Sequence, residues 1–167
     1  MAVKIVVEVL VMWLLYAFYM AIIVHKKGPI GGIFFYPKAM QERTIELGLI
    51  TREELNRRKT FAFVLLIAWM LLIPAYMILF VNKARSFWDC SWQFYVLFLG
   101  AEFFDWLVID TIWVAISDWW LIDGTEDLND TWHNVNVKKW KFAKLIPVSI
   151  PIAAMVGGLY WIIGRIV

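Results

Sequence analysis

The 167-residue chain contains one cysteine, two histidines and no basic tract of the kind that binds nucleic acid. The single cysteine, Cys90, excludes an intrachain disulfide and a cysteine-rich metal site. His25 and His133 both lie outside the apolar runs, which excludes a histidine-rich metal centre or a bis-histidine haem inside a helical bundle. The formal net charge of +2 is small. No nucleotide-binding glycine motif occurs. Because no serine or cysteine lies in a recognisable nucleophile motif, the sequence gives no support to covalent catalysis.

Apolar residues dominate what remains, at 62% of the chain with a mean hydropathy of +0.69. A soluble domain is nearer half apolar. A helix needs about 20 apolar residues to cross the hydrocarbon core, and four runs satisfy this: Ile5–Val24, Phe61–Val81, Ser91–Ser117 and Leu145–Gly164. The runs are continuous rather than alternating, so helices are expected and not barrel strands. We predict one all-α domain over residues 1–167, a polytopic integral membrane protein with four transmembrane helices.

Charge asymmetry predicts the topology, because lysine and arginine gather on cytoplasmic loops. The connections 25–60 and 118–144 carry twelve of these residues, against four elsewhere in the chain. Both connections are therefore predicted in the cytoplasm and both termini outside it, in the cell membrane. The first span is longer than a signal-peptide core and is followed by His25-Lys26-Lys27, so we expect it to be retained.

The first connection has the signals of a short helical hairpin between the first two spans. Pro37 suits the first turn of a helix that runs to Leu47, with Gly48 as its stop. Thr51 and Glu54 form a capping-box pattern, so a second helix should run from Arg52 straight into span two. Two interpretations stay open: a solvated connector on the membrane surface, or a docking site for a partner.

The third run carries Glu102, Asp105 and Asp110 where a span should carry no charge. Three central acids cost roughly 8–10 kcal/mol on the insertion scale, and the thirteen Leu, Ile, Phe and Val residues from Phe94 to Ile116 return about 4–8 kcal/mol. This span is marginal alone, and an intramembrane acid is a functional-site hypothesis by default.

Helical geometry places the acids among aromatic residues. At 100° per residue, the acids share an arc of about 140° with Tyr95, Trp106 and Trp113. The opposite arc is apolar and is expected to face lipid: Val96, Leu97, Phe104, Leu107, Val108 and Ala115, with Thr111 bonding back to its own helix.

The other three runs offer no lysine, arginine or histidine to neutralise these acids, and span one adds a further acid, Glu8. Four alternatives stay open. The acids are protonated; Glu102 and Asp105 hold a metal ion or a transported cation; an organic cation lies against the tryptophan faces; or another subunit supplies the positive charge.

The leading hypothesis is an intramembrane site that binds or transports a cation, a proton or a cationic small molecule, formed by Glu102, Asp105 and Asp110 and walled by Tyr95, Trp106 and Trp113. The lipid bilayer is one partner, and a homo-oligomer or a partner subunit is expected because four helices are few for a complete pathway. The alternatives are a membrane enzyme that acts on a lipid-like substrate through the acids, and a non-catalytic subunit whose acids pair with a partner. The sequence identifies no cofactor.

Span four has small residues at spacings of four, in two series: Ser149, Ala153 and Gly157, and Ala154 and Gly158. This spacing lets helix backbones approach closely. We therefore expect span four to pack inside the bundle or against a second copy.

Overall fold

The computed structural model describes residues 2–129 and 135–166, so residues 130–134 of the second predicted connection lie outside the described residues. The fold is all-α, with 86% helix and no β-strand in the described ranges. Within the part of the chain that the structure describes, three helices are long and apolar enough to cross a membrane: Val3–Val24, Arg52–Val81 and Trp140–Ile166. The acid-bearing run Ser91–Ser117 is not among these three helices.

The described ranges contain five α-helices: α1 (Ala2–Val24), α2 (Lys38–Glu46), α3 (Arg52–Tyr76), α4 (Phe87–Phe104) and α5 (Val135–Ile166). Two of them continue as π-helical segments, α3 through Met77–Val81 and α4 through Asp105–Val114. Short 3₁₀ segments cover Gly28–Phe35, Asp118–Trp120 and Glu126–Leu128. Helix α5 begins at Val135 rather than at Leu145, so the predicted last span is the apolar part of a longer helix.

Local signals in the first connection match the observed helix ends. Gly48 adopts φ +70°, the left-handed conformation that commonly follows the last turn of a helix. The Thr51 hydroxyl accepts a hydrogen bond from the backbone N–H of Glu54 at 3.2 Å, so the predicted N-cap is confirmed. The Glu54 carboxylate accepts hydrogen bonds from Lys27 and Arg58, which ties the start of α3 to the end of α1.

Helix α4 packs against both α1 and α5. Leu97 is 0% exposed and Phe104 is 9% exposed, so the expectation that both face lipid is wrong. Sequence periodicity separates a polar face from an apolar one, but an apolar face can meet either lipid or a neighbouring helix. In this bundle the Leu97 and Phe104 side chains lie in the hydrophobic clusters that hold α4 to its neighbours.

Contacts at the two ends of the bundle show that successive long helices run in opposite directions. At one end the two long connections meet, because the Tyr36 hydroxyl donates to the carbonyl of Trp120 at 2.7 Å and Arg43 pairs with Asp127 at 3.3 Å. At the other end the Asn82 amide, which follows α3, donates to Glu8 of α1 at 3.0 Å. The same amide donates to Gln93 of α4 at 2.8 Å.

The last helix runs back along α4, as the contact between their ends shows. The ring of Phe87, at the start of α4, lies 6.4 Å from the ring of Trp161, near the end of α5. Gly157 of α5 approaches the backbone of Ser91 closely. Ser149, Ala153 and Gly157 are all buried, so this small-residue series packs inside the bundle.

Candidate functional site

A small pocket opens between two helical walls. One wall is the last turn of α4 with its π-helical extension Asp105–Val114, and the other is the first half of α5. The pocket volume is about 70 Å³, and the pocket is lined by Glu102, Asp105, Trp106, Asp110, Lys141, Phe142 and Leu145. One water occupies about 30 Å³ in the liquid, so the pocket has room for about two water molecules. The lining brings three carboxyl groups and one ammonium group together between the two helical segments.

The π-helical segment positions the two aspartates. Its backbone follows an i to i+5 pattern, so residues five apart lie nearly above one another. Asp105 and Asp110 are five apart and both line the pocket, whereas a 100° step would set them about 140° apart. The Thr111 hydroxyl donates to the carbonyl of Trp106, also five residues earlier, at 2.8 Å. This confirms the expected bond of Thr111 to its own helix and shows the wider turn directly.

Helix α5 contributes the opposite wall. Because α5 begins at Val135, Lys141 and Phe142 lie on a helix and not in a loop. The Phe142 ring stacks on Trp106 with 5.1 Å between ring centroids and 12° between planes. This stacking holds the two walls together on one side of the pocket and places an ammonium group among the acids.

Helix α1 supports the acids from a third direction. The Tyr16 hydroxyl donates a hydrogen bond to the Asp105 carboxylate at 2.7 Å. The Trp13 indole N–H donates to the carbonyl of Gly100 at 2.8 Å, which fixes α1 against α4 one turn away. This short bond to a residue on the neighbouring segment orients the Asp105 side chain toward α1.

One donor in the pocket lining has no partner in the structure. The indole Nε1 of Trp106 is buried and makes no hydrogen bond. Buried polar groups are nearly always satisfied by protein or by ordered water. This N–H has almost no solvent-accessible surface, so water in the pocket does not reach it and it stays an unpaired donor inside the wall.

Four of the six predicted site residues come together, namely Glu102, Asp105, Asp110 and Trp106. The structure places the other two elsewhere. Tyr95 lines a separate, apolar groove between α4 and α5. Trp113 stacks on Trp119 with 5.4 Å between ring centroids.

Four residues of the site were not predicted from the sequence: Tyr16, Lys141, Phe142 and Leu145. The signal for Tyr16 was a tyrosine near the middle of the first apolar run. The signal for Lys141 was the absence of a helix breaker between it and the last apolar run. Neither signal specifies which helix faces the acids, and that information lies in the packing.

Among the described residues, no group of three or more His, Cys, Asp or Glu side chains is arranged to hold a metal ion. The chain matches no protein-family model, and neither the curated proteins nor the solved structures contain a match to it.

Proposed function

We propose that this chain is a four-span membrane protein that binds and releases protons at the pocket of Glu102, Asp105 and Asp110. The observation that carries the proposal is the pocket itself. It groups three carboxyl groups and one ammonium around a space for about two waters. Carboxyl groups linked by water are the usual parts of a proton relay in a membrane protein.

The contacts at opposite ends of the bundle support a membrane crossing by the third apolar run, Ser91–Ser117. The two long connections touch each other through Tyr36 and Arg43, so the chain between them must leave that end and return to it. Helices α3 and α4 with their π-helical extensions make this excursion, and α4 is packed between apolar helices. With the twelve-to-four distribution of lysine and arginine, we place both connections and the helical hairpin in the cytoplasm and both termini outside.

The size of the pocket favours a proton or a small inorganic cation over larger ligands. Sites for organic ligands usually measure about 300–1,000 Å³, whereas this pocket measures about 70 Å³. An organic cation or a lipid-like substrate would not fit without rearrangement of α4 and α5. This argues for proton binding over the membrane-enzyme alternative.

Lys141 bears on the alternative in which a partner supplies the positive charge. Its side chain lines the pocket, so this chain itself brings one ammonium group to the acids. Lys141 is exposed at the rim, where a flexible lysine can approach or leave a carboxylate as its protonation changes. A homo-oligomer or a partner subunit remains part of the proposal, because four helices are few for a closed pathway.

Proton flux in reconstituted liposomes tests the proposal. The purified chain would be placed in vesicles that contain a pH-sensitive dye, and a potassium diffusion potential would drive protons inward. We expect flux above that of empty vesicles and a loss of at least tenfold in Glu102→Gln, because the amide cannot take up a proton. Glu53→Gln is the matched control, since Glu53 is an exposed acid in the first turn of α3.

Two results would overturn the proposal. One is flux no greater than in empty vesicles, measured with protein shown to be folded and inserted. The other is an equal effect of Glu102→Gln and Glu53→Gln. Flux of sodium or potassium without protons, lost in Glu102→Gln, would instead identify a small cation as the ligand.

A further inference from the structure

A second cavity lies where α1 ends, far along that helix from the N-terminus. Its volume is about 320 Å³ and it lies between the last turns of α1 and the start of α3. Its apolar wall is formed by α1 and includes Phe18 and Ile22, which are 66% and 43% exposed. Its basic rim is formed by His25, Lys26 and Arg58. We call this cavity the basic-rimmed groove.

The basic rim is not neutralised by the residues that line the groove, because none of them is acidic. The neighbouring acid is Glu54, which binds Lys27 at 2.8 Å and the Nε of Arg58 at 3.0 Å. Glu54 thus holds the Arg58 guanidinium in place through one of its five N–H donors. The remaining donors form the planar fork that binds phosphate oxygens well.

The position of the groove adds a constraint on its occupant. Helix α1 is apolar enough to cross a membrane and ends at Val24, so the basic rim lies at the expected boundary of the hydrocarbon core. An exposed apolar wall that leads up to basic residues at this depth matches an amphiphile with a negatively charged head. A neutral lipid would leave the rim without an anion, and free phosphate would contact the rim but not the apolar wall of Phe18 and Ile22.

From this arrangement we propose that the basic-rimmed groove binds an anionic phospholipid. Its phosphate contacts Lys26 and Arg58, with His25 beside them, and the upper part of one acyl chain lies along Phe18 and Ile22. This site is separate from the acidic pocket, and its occupant would anchor the junction of α1 and α3 to one leaflet.

Lipid retention in nanodiscs tests this proposal directly. The intact chain would be inserted into discs with equal amounts of phosphatidylglycerol and phosphatidylcholine, released gently, and analysed by native mass spectrometry for the lipid that stays bound. We expect phosphatidylglycerol to be retained at least about tenfold over phosphatidylcholine. Each of Lys26→Gln and Arg58→Gln should lower this retention about fivefold, since one basic group near an anionic head is worth about that factor.

The matched control is Arg57→Gln, which removes an exposed positive charge next to Arg58 but outside the groove lining. It should change retention less than twofold. Because Arg58→Gln also removes the pair with Glu54, Ala21→Phe serves as a second variant. It fills the apolar wall without changing any charge and should also lower retention.

Three outcomes would refute the proposal. Equal retention of the two lipids by the unmodified chain would show that the rim does not select a negative head. Equal losses in Arg57→Gln and Arg58→Gln would show general surface attraction. If inorganic phosphate alone displaces the bound lipid, and Ala21→Phe does not change lipid retention, the groove is a site for soluble phosphate.

Discussion

The approach of α5 to α4 at Gly157 makes a prediction that tests the bundle itself. A Cβ atom added at Gly157 would lie 2.4 Å from the Cα of Ser91 and 2.7 Å from its backbone nitrogen. Ordinary van der Waals contact begins at about 3.4 Å. Backbone atoms cannot rotate aside, so in Gly157→Ala the two helices must move apart by ~1 Å along their closest contact.

The energetic consequence follows from two opposing effects. Overpacking of this kind costs typically about 1–3 kcal/mol, and the upper part of the range applies because the contact is with backbone. Alanine returns up to about 1 kcal/mol by its higher helix propensity. We therefore expect Gly157→Ala to lower the free energy of unfolding by about 1–2 kcal/mol.

The neighbouring Gly158 provides a matched control on the same helix. A Cβ atom there would lie 3.4 Å from the Phe87 ring, which is ordinary contact with a side chain that can adjust. Gly158→Ala should therefore be neutral or stabilising by up to about 1 kcal/mol. The two variants make the same chemical change one residue apart, yet only Gly157→Ala should destabilise the protein.

Unfolding of the purified protein in mixed micelles, by denaturing detergent or by heat, measures this difference. For a chain of this size 1 kcal/mol corresponds to roughly 2–4 °C. If the difference is about 2 kcal/mol, the two variants should melt about 4–8 °C apart. Equal stabilities, or a less stable Gly158→Ala, would refute the close packing of α4 on α5 and with it the opposite wall of the acidic pocket.

Two further predictions concern single hydrogen bonds. Tyr16→Phe removes the 2.7 Å bond to Asp105 and should lower the free energy of unfolding by about 1–3 kcal/mol. Tyr76→Phe changes an exposed tyrosine and should leave the free energy of unfolding unchanged. Equal effects of the two variants in the same detergent titration would argue against the bond. The Glu126 carboxylate accepts a hydrogen bond from the backbone N–H of Gly124 at 2.9 Å, and this bond is the main reason that the pKa of Glu126 lies below its ordinary value of 4.5. A lowered pKa means that the stabilisation by the ionised Glu126 carboxylate is complete above pH 4.5 and is lost as the pH falls through the lowered value. Amide exchange of residues 121–128, corrected for its intrinsic pH dependence, should therefore accelerate on acidification. Equal protection of these amides in the unmodified protein and in Glu126→Gln at neutral pH would contradict this.

Local features of this protein could be predicted from the sequence because their causes are local. The apolar runs specify helices that suit a bilayer, and three of them are confirmed as helices of sufficient length and apolarity. The N-cap at Thr51 and the helix stop at Gly48 depend on hydrogen bonds and φ angles within a few residues. The grouping of Glu102, Asp105 and Asp110 in one run was likewise visible without any fold.

The composition of the pocket was decided by tertiary structure. A 100° step joined Trp113 to the acids, but the backbone widens to a π-helix at Asp105, so the spacing changes in the middle of the run. Such a change depends on what the helix packs against, and a helical wheel assumes a constant step. Tyr95 lies on the regular part of α4, about 10 Å along the helix axis from Glu102, and lines a different groove.

The partners of the acids were also decided by packing. Tyr16 lies 89 positions from Asp105 along the chain, and Lys141 reaches the pocket because α5 extends past its apolar part. The sequence alone shows which side chains are costly to bury in a membrane, and in this chain they include Glu102, Asp105 and Asp110. Which donor, ammonium or ring compensates them depends on the helices that become neighbours, and that is determined when the whole chain packs.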